Sequence, residues 1–151
     1  MSAEREQFDA VLADFARSIG QDLKLDAEGS CTFILDGDVP VTLQYLPAGD
    51  MVLAWSMVGS LPEDESAGER AMFLMRVNGD WEHSGGFTFG MDEENRTVVA
   101  SDVHSTEWLH SDDRLAYWID RLVRAVKYVR ETCGEEFPYY GEMDDEAEEG
   151  N

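Results

Sequence analysis

Residues 31–61, CTFILDGDVPVTLQYLPAGDMVLAWSMVGSL, decide the fold, because they alternate strand-forming runs with short turns. Strands are predicted at Cys31–Asp36, Val39–Leu46 and Met51–Leu61. Gly37 and Asp38 form a two-residue hairpin connection, and residues 47–50, PAGD, form a longer turn. Connections this short join antiparallel neighbours, so the stretch predicts three consecutive antiparallel strands.

The third of these strands predicts that both faces of the sheet are covered. Residues 51–58, MVLAWSMV, carry apolar side chains at odd and even positions alike. A strand with one solvated face would instead alternate apolar and polar residues. Helices of the same chain can cover one face, and we expect a second copy of the chain or a bound partner to cover the other.

Helices and a second hairpin surround this stretch. Apolar residues at helical spacing predict helices over 4–19, from Ser66 to about Val77, and over 111–133. The second helix begins with Ser66 and Glu69 in the spacing of a capping box. Two further strands are predicted at Phe87–Met91 and Thr97–His104. The order α-β-β-β-α-β-β-α predicts an α+β fold, a twisted antiparallel sheet packed with helices.

Composition predicts one acidic domain with a tail. The 151 residues are 43% hydrophobic, enough for a single core, which we assign to residues 1–134. Residues 135–151 contain eight acidic residues and no Lys or Arg, and we expect them to be mostly disordered. Within them, the aromatic patch Phe137–Tyr140 is expected to fold back onto the body or to serve as a contact motif.

The net charge limits the partners that we expect, and the apolar pattern of the chain indicates its location. A formal net charge of -22 repels nucleic acid and anionic membranes, so neither is expected as a partner. No signal-peptide pattern and no apolar run long enough to span a bilayer occurs, which favours a cytoplasmic location.

No pattern typical of a catalytic or metal site is present. His83, His104 and His110 lack zinc-site spacing, and Cys31 and Cys133 belong to no paired motif. Ser84-Gly85-Gly86 lacks the residues that surround a phosphate loop. We therefore expect a protein that is not an enzyme, with no catalytic residues, no metal and no cofactor.

Several local patterns occur together in one register between Phe8 and Cys133. They are Ile19-Gly20, the paired Leu23 and Leu25, Asp26-Ala27-Glu28-Gly29 before Cys31, Gly59-Ser60-Leu61-Pro62, Asn78 before Gly85-Gly86, and Gly90-Met91-Asp92-Glu93. With the order of elements and the acidic composition, they resemble the class I type III secretion chaperones, the Tir chaperone (CesT-like) family. The strand 98–104 is more polar than its leucine-rich counterpart in that family, and the acidic tail is longer.

The resemblance implies a homodimer that binds an N-terminal segment of a secreted effector. The chaperone would keep this client extended and soluble and help deliver it to the secretion apparatus without ATP, with the secretion ATPase as a further candidate partner. For client binding we predict an apolar face of the first helix and the sheet, with Phe8, Leu12, Phe15, Leu43, Tyr45, Trp55 and Phe89. For the dimer interface we predict Met72, Phe73, Met75, Trp81 and Phe87.

Two other interpretations share the same composition. A small acidic chain can act as an inhibitor or immunity protein that binds a folded basic partner by charge complementarity. A regulatory protein of the YbjN type, built on the same fold, is the other. The dimeric state and the folding state of the partner distinguish these classes from a chaperone.

Overall fold

The computed structural model describes residues 2–133, so the predicted tail and its Phe137–Tyr140 patch lie outside the described part. The elements are α1 Ala3–Ser18, β1 Ser30–Leu35, β2 Val39–Leu46, β3 Met51–Ser60, α2 Ala67–Asn78, α3 Trp81–Ser84, β4 Thr88–Met91, β5 Thr97–Ser105 and α4 Asp112–Cys133. The predicted α+β order is confirmed. The single-turn helix α3 is an addition that the sequence pattern did not indicate.

All five strands form one antiparallel sheet in the order β1-β2-β3-β5-β4. Strands β1, β2 and β3 follow each other as predicted. The second hairpin then joins through its later strand, so that β5 lies beside β3 and β4 forms an edge. The longest strands, β3 and β5, are therefore central and paired, and the short strands β1 and β4 are at the edges.

Two local predictions were wrong. The first hairpin has a three-residue loop, because Leu35 pairs with Val39, and Asp36 and Gly37 both adopt positive φ values of 51° and 84°. The capping box at α2 does not form, because the Ser66 backbone is helical and its hydroxyl makes no hydrogen bond to a backbone N–H of the first turn. The Ser66 Oγ instead contacts the Asp64 carboxylate at 2.5 Å.

The hydrophobic core lies between one face of the sheet and the helices α1 and α4. Phe15 of α1 packs on Phe33 of β1 with ring centroids 6.0 Å apart, and Phe87 packs on Trp118 of α4 at the same separation. α4 buries a stripe of apolar side chains along most of its length, including Leu115, Ile119, Leu122, Val126 and Val129. Both long helices therefore cover the same face of the sheet.

One polar group in this core has no partner. Ser56 of β3 is 1% exposed, and among the described residues its hydroxyl makes no hydrogen bond. Because burial of an unpaired hydroxyl costs about 1–3 kcal/mol, we expect Ser56→Ala to raise the free energy of unfolding by about 1 kcal/mol. Urea denaturation measures this change.

Ser84 provides the matched control, because it is equally buried but its hydroxyl accepts a hydrogen bond from the Gly86 N–H at 3.3 Å. Ser84→Ala should lower the free energy of unfolding. A loss of stability in Ser56→Ala as well would show that the Ser56 hydroxyl has a partner.

Candidate binding surface

The face of the sheet opposite α1 and α4 is the candidate binding surface of the described chain. Along β3, Val52, Ala54, Ser56 and Val58 are buried toward the helices, and the odd-numbered residues between them are only partly buried. The strand register places Thr32, Thr42, Trp55, Ser101 and Thr88 in one row across all five strands of this second face. We call it the open face.

The open face is uncharged and combines many apolar side chains with small polar ones. Its apolar side chains are Ile34, Leu46, Met51, Leu53, Trp55, Met57, Val99 and Val103. Across the five described strands, no Asp, Glu, Lys or Arg side chain belongs to this face, although 29% of the chain is charged. Ile34 and Val103 are 45% and 39% exposed. An uncharged apolar surface in so acidic a chain is typical of an interaction site.

The sequence of β3 predicted that both faces of the sheet are covered, and the structure shows a cover on one of them. α1 and α4 cover one face, and within residues 2–133 no helix covers the other. The odd-numbered residues of 51–58 are thus apolar without being part of the chain's own core. A contact outside the described residues is needed to bury them.

Six of the seven residues predicted to bind a client lie inside the core. Phe8, Leu12, Phe15, Leu43, Tyr45 and Phe89 are at most 5% exposed. The reason is direction: the sheet residues among them have the parity that points toward α1 and α4, and the α1 residues form the side of the helix that faces the sheet. Client contact at these six positions would require the helices to move, whereas Trp55 lies on the open face, where contact stays a prediction.

Other open-face residues were missed by the sequence analysis. Leu53, Met57 and Val99 flank Trp55 on the open face, and Leu53 and Met57 have its parity in β3. That shared parity was the available signal, because residues two apart in a strand project on the same side. Selecting positions by parity from Trp55 would have identified Leu53 and Met57, whereas Val99 lies on another strand.

The two edges of the sheet differ in their availability for pairing. At β4, the Asn78 side chain accepts from the Phe89 N–H at 2.7 Å and donates to the Phe89 carbonyl at 3.0 Å. This amide satisfies both outward-facing groups of Phe89 as a neighbouring strand would. The end of α2 therefore closes the β4 edge at this point.

At β1, the Ser30 carbonyl accepts a hydrogen bond from the Asp26 N–H at 2.8 Å, on the side away from β2. Thr32 has the same orientation, since it lies two residues further along the strand. Its backbone N–H and C=O have no partner among residues 2–133. The β1 edge can therefore accept another strand beside the open face.

Of the five residues predicted at a dimer interface, three are exposed and two are partly or fully buried. Met72, Met75 and Trp81 are 60%, 73% and 64% exposed, which makes them available for contact. Phe73 is partly buried and packs on Tyr128 of α4, with ring centroids 6.0 Å apart. Phe87 is 1% exposed in the core, so it cannot reach a partner in this conformation.

Within residues 2–133, the structure shows neither an activated cysteine nor a cluster of metal-binding side chains. Burial raises the pKa of both the Cys31 and the Cys133 thiol, so neither is activated as a thiolate nucleophile. Within residues 2–133, no three His, Cys, Asp or Glu residues are grouped as a metal site requires. None of the helices described there combines the length and apolar character needed to cross a bilayer.

The fold places the chain in the structural class of the type III secretion chaperones. It is similar to the structure of the HopA1–SchA chaperone–effector complex, with a TM-score of 0.71, 22% identity, and coverage of 87% of this chain and 98% of that one. The ExsC–ExsE complex gives a TM-score of 0.67 and 24% identity, covering 85% and 93%.

The Yersinia pestis type III secretion chaperone SycH, in complex with a YscM2 fragment, gives a TM-score of 0.63, 17% identity and coverage of 82% and 99%. No curated protein sequence matches the chain. The model of the Tir chaperone protein (CesT) family matches residues 10–130, four-fifths of the chain. This chain belongs to the Tir chaperone family, as the sequence patterns predicted.

Proposed function

We propose that this protein is a cytoplasmic, non-enzymatic chaperone that binds an N-terminal segment of a secreted effector and holds it extended and soluble. The observation that carries the proposal is the uncharged open face beside an available strand edge. Family membership supports it. HopA1–SchA, a structure of similar fold, is itself a chaperone–effector complex.

The physical basis is complementarity between the open face and an unfolded chain. An extended client exposes apolar side chains and unpaired backbone groups. The open face can bury the former, each fully buried side chain contributing about 1.5–3 kcal/mol, and the β1 edge at Thr32 can pair with the latter. The net charge of -22 favours clients with basic residues around their apolar anchors.

Co-expression with the N-terminal segment of a secreted protein encoded beside this gene tests the proposal. Limited proteolysis of the purified complex should show that the bound segment stays sensitive to protease wherever the chaperone does not cover it. A compact, protease-resistant partner would instead indicate an inhibitor of a folded protein. Contact with the secretion ATPase stays a prediction.

We further propose a homodimer in which α2 packs against α2 of a second copy. Met72 and Met75 lie three residues apart on the exposed side of this helix, and methionine adapts its packing readily. A two-fold contact buries the same patch twice, so one substitution acts at two places.

The double variant Met72→Glu/Met75→Glu should be monomeric at concentrations where the unmodified chain is dimeric. Sedimentation velocity measures the change. The control is Ala10→Glu, which adds a carboxylate to an exposed position of α1. A dimer that survives both methionine substitutions would place the interface elsewhere.

A further inference from the structure

The two edges of the sheet are each closed at one position by the same kind of contact. At β4, the Asn78 side chain bonds to both outward-facing backbone groups of Phe89, at 2.7 Å and 3.0 Å. At β1, Asp26 does the same for Ser30: its backbone N–H donates to the Ser30 carbonyl at 2.8 Å, and its Oδ1 accepts from the Ser30 N–H at 3.0 Å. At both positions, a residue outside the sheet satisfies the groups that a neighbouring strand would pair with.

Asp26 is held in place for this contact by the turn that precedes β1. Its Oδ1 also accepts from the Glu28 N–H at 2.9 Å, and its carbonyl accepts from the Gly29 N–H at 3.0 Å. The Gly29 carbonyl in turn accepts from the Tyr45 N–H at 2.8 Å, which attaches the turn to β2. The closure at Ser30 is therefore part of a turn that is tied to the sheet.

Beyond Ser30, the β1 edge is open over a short length. Alternate residues of an edge strand point their backbone groups outward, so the next outward groups belong to Thr32 and Ile34. Within residues 2–133, the Thr32 N–H and C=O and the Ile34 N–H have no partner. The Ile34 carbonyl accepts from the Gln21 side-chain amide at 3.5 Å, a long hydrogen bond. An added strand can therefore pair with two residues of β1 before it meets the closed position.

These two residues also present their side chains to the open face. Thr32 lies in the row that contains Trp55, and Ile34 is 45% exposed. In an antiparallel pair, the side chains of directly opposed residues lie on the same face of the sheet. A client strand at this edge would thus place two side chains on the open face, two residues apart, one beside Ile34 and one beside Thr32.

We propose that Asp26 sets the register of the bound client by closing the β1 edge at Ser30, which confines main-chain pairing to Thr32 and Ile34. The client must leave the edge at Ser30. Its side chains on the open face therefore select it more than the length of its strand does, and the residue beside Ile34 is expected to be apolar. This inference rests on the proposed function, because it concerns how that client is held.

Amide hydrogen exchange in the ¹⁵N-labelled chain measures the paired positions directly. When the unlabelled N-terminal segment from the co-expression is bound, exchange of the Thr32 and Ile34 amides should slow by about tenfold or more. The Ser30 amide, which Asp26 binds with or without a client, should change little. Unchanged exchange at Thr32 and Ile34 in the complex would overturn the proposal. If Trp55→Glu still weakened binding in that case, the proposed function would stand without it.

Two substitutions of Asp26 separate the closure from its charge. Both Asp26→Asn and Asp26→Ala remove one negative charge, but only asparagine keeps an Oδ1 acceptor for the Ser30 N–H. In Asp26→Ala the freed N–H can bond to the client, so the segment should bind about three- to tenfold more tightly than to Asp26→Asn. Fluorescence anisotropy measures both affinities. A Ser30 amide that stays unprotected in the Asp26→Ala complex would contradict the role assigned to Asp26.

A second pair of variants tests the open position itself. Thr32→Pro removes the outward N–H, which an edge strand tolerates. Thr32→Val keeps that N–H and loses the same hydroxyl contact with Thr42, 2.8 Å long. The segment should bind about three- to tenfold more weakly to the proline variant than to the valine variant. Equal affinities of the two folded variants, checked by thermal unfolding, would rule out pairing at Thr32. If Thr32→Pro did not fold, exchange at Thr32 and Ile34 in the unmodified chain would decide.

Discussion

Replacing Arg130 with alanine is expected to lower the free energy of unfolding by about 3 kcal/mol, because it leaves three carbonyls without their donors. The guanidinium donates to the Val58 carbonyl at 2.9 Å and to those of Met57 and Asp38 at 3.1 Å each. The side chain is 8% exposed, so water replaces few of these bonds. One residue thereby ties α4 to β3 and to the loop between β1 and β2.

Two of these carbonyls, those of Met57 and Val58, lie at an irregularity in the sheet. The register of β3 against β5 shifts between Met57 and Gly59, where a β-bulge interrupts the regular ladder. A guanidinium has five N–H donors in a rigid fork and can serve several acceptors together. Without Arg130, the bulge and the end of α4 would lose their common attachment.

Two comparisons make this prediction specific. Arg124→Ala removes a highly exposed arginine from the same helix and should cost less than about 0.5 kcal/mol. Arg130→Lys keeps the charge, but its single ammonium cannot reach all three carbonyls, so an intermediate loss is expected. Urea denaturation followed by circular dichroism measures all three variants. A loss below about 1 kcal/mol for Arg130→Ala would contradict the role assigned to it.

Local sequence signals were sufficient for most of the fold. The turns at residues 36–38 and 47–50 separate strands whose pairing the structure confirms, and helical spacing located both long helices. The failures involve contacts that spacing does not contain. Ser66 has the spacing of a capping box, yet the Asp64 carboxylate two residues earlier competes for its hydroxyl. α3 spans four residues, too few for a periodic pattern to show.

The candidate site was harder to predict, because apolar periodicity identifies a side of an element without showing what covers it. Phe8, Leu12 and Phe15 form the apolar side of α1, and that side faces the chain's own sheet. Met72 and Met75 have similar spacing on α2, but their side chains remain exposed. Only tertiary packing separates the two cases, since both are apolar residues at helical spacing.

For β3 too, the apolar pattern shows that a face is buried without showing what buries it. Its apolar residues at both parities predicted that both faces of the sheet are buried, and the chain's own helices bury one of these faces. Which parity faces the helices depends on which face of the sheet α1 and α4 cover, and the sequence of β3 alone does not contain that information. Because Ala54 is buried toward the helices and its neighbour Trp55 projects to the other side, Trp55 is assigned to the open face.

Replacing Trp55 with glutamate should weaken binding of an effector segment about 100-fold or more. Trp55 lies in the central strand of the open face, between Thr42 and Ser101 on the neighbouring strands, so its ring has small polar neighbours on both sides. A client side chain packed against this ring would lose about 2–3 kcal/mol of burial, and a buried carboxylate would add a desolvation cost. Fluorescence anisotropy with a labelled client segment from the co-expressed complex measures the affinity.

The Trp55→Glu variant should remain folded, because the Trp55 side chain is outside the core between the sheet and its helices. Thermal unfolding provides that check. Ala10→Glu, which adds the same charge to the exposed surface of α1, should bind the client normally. If folded Trp55→Glu bound the client as tightly as this control, the open face could not be the client-binding surface, since no extended segment could cross its centre without contacting residue 55.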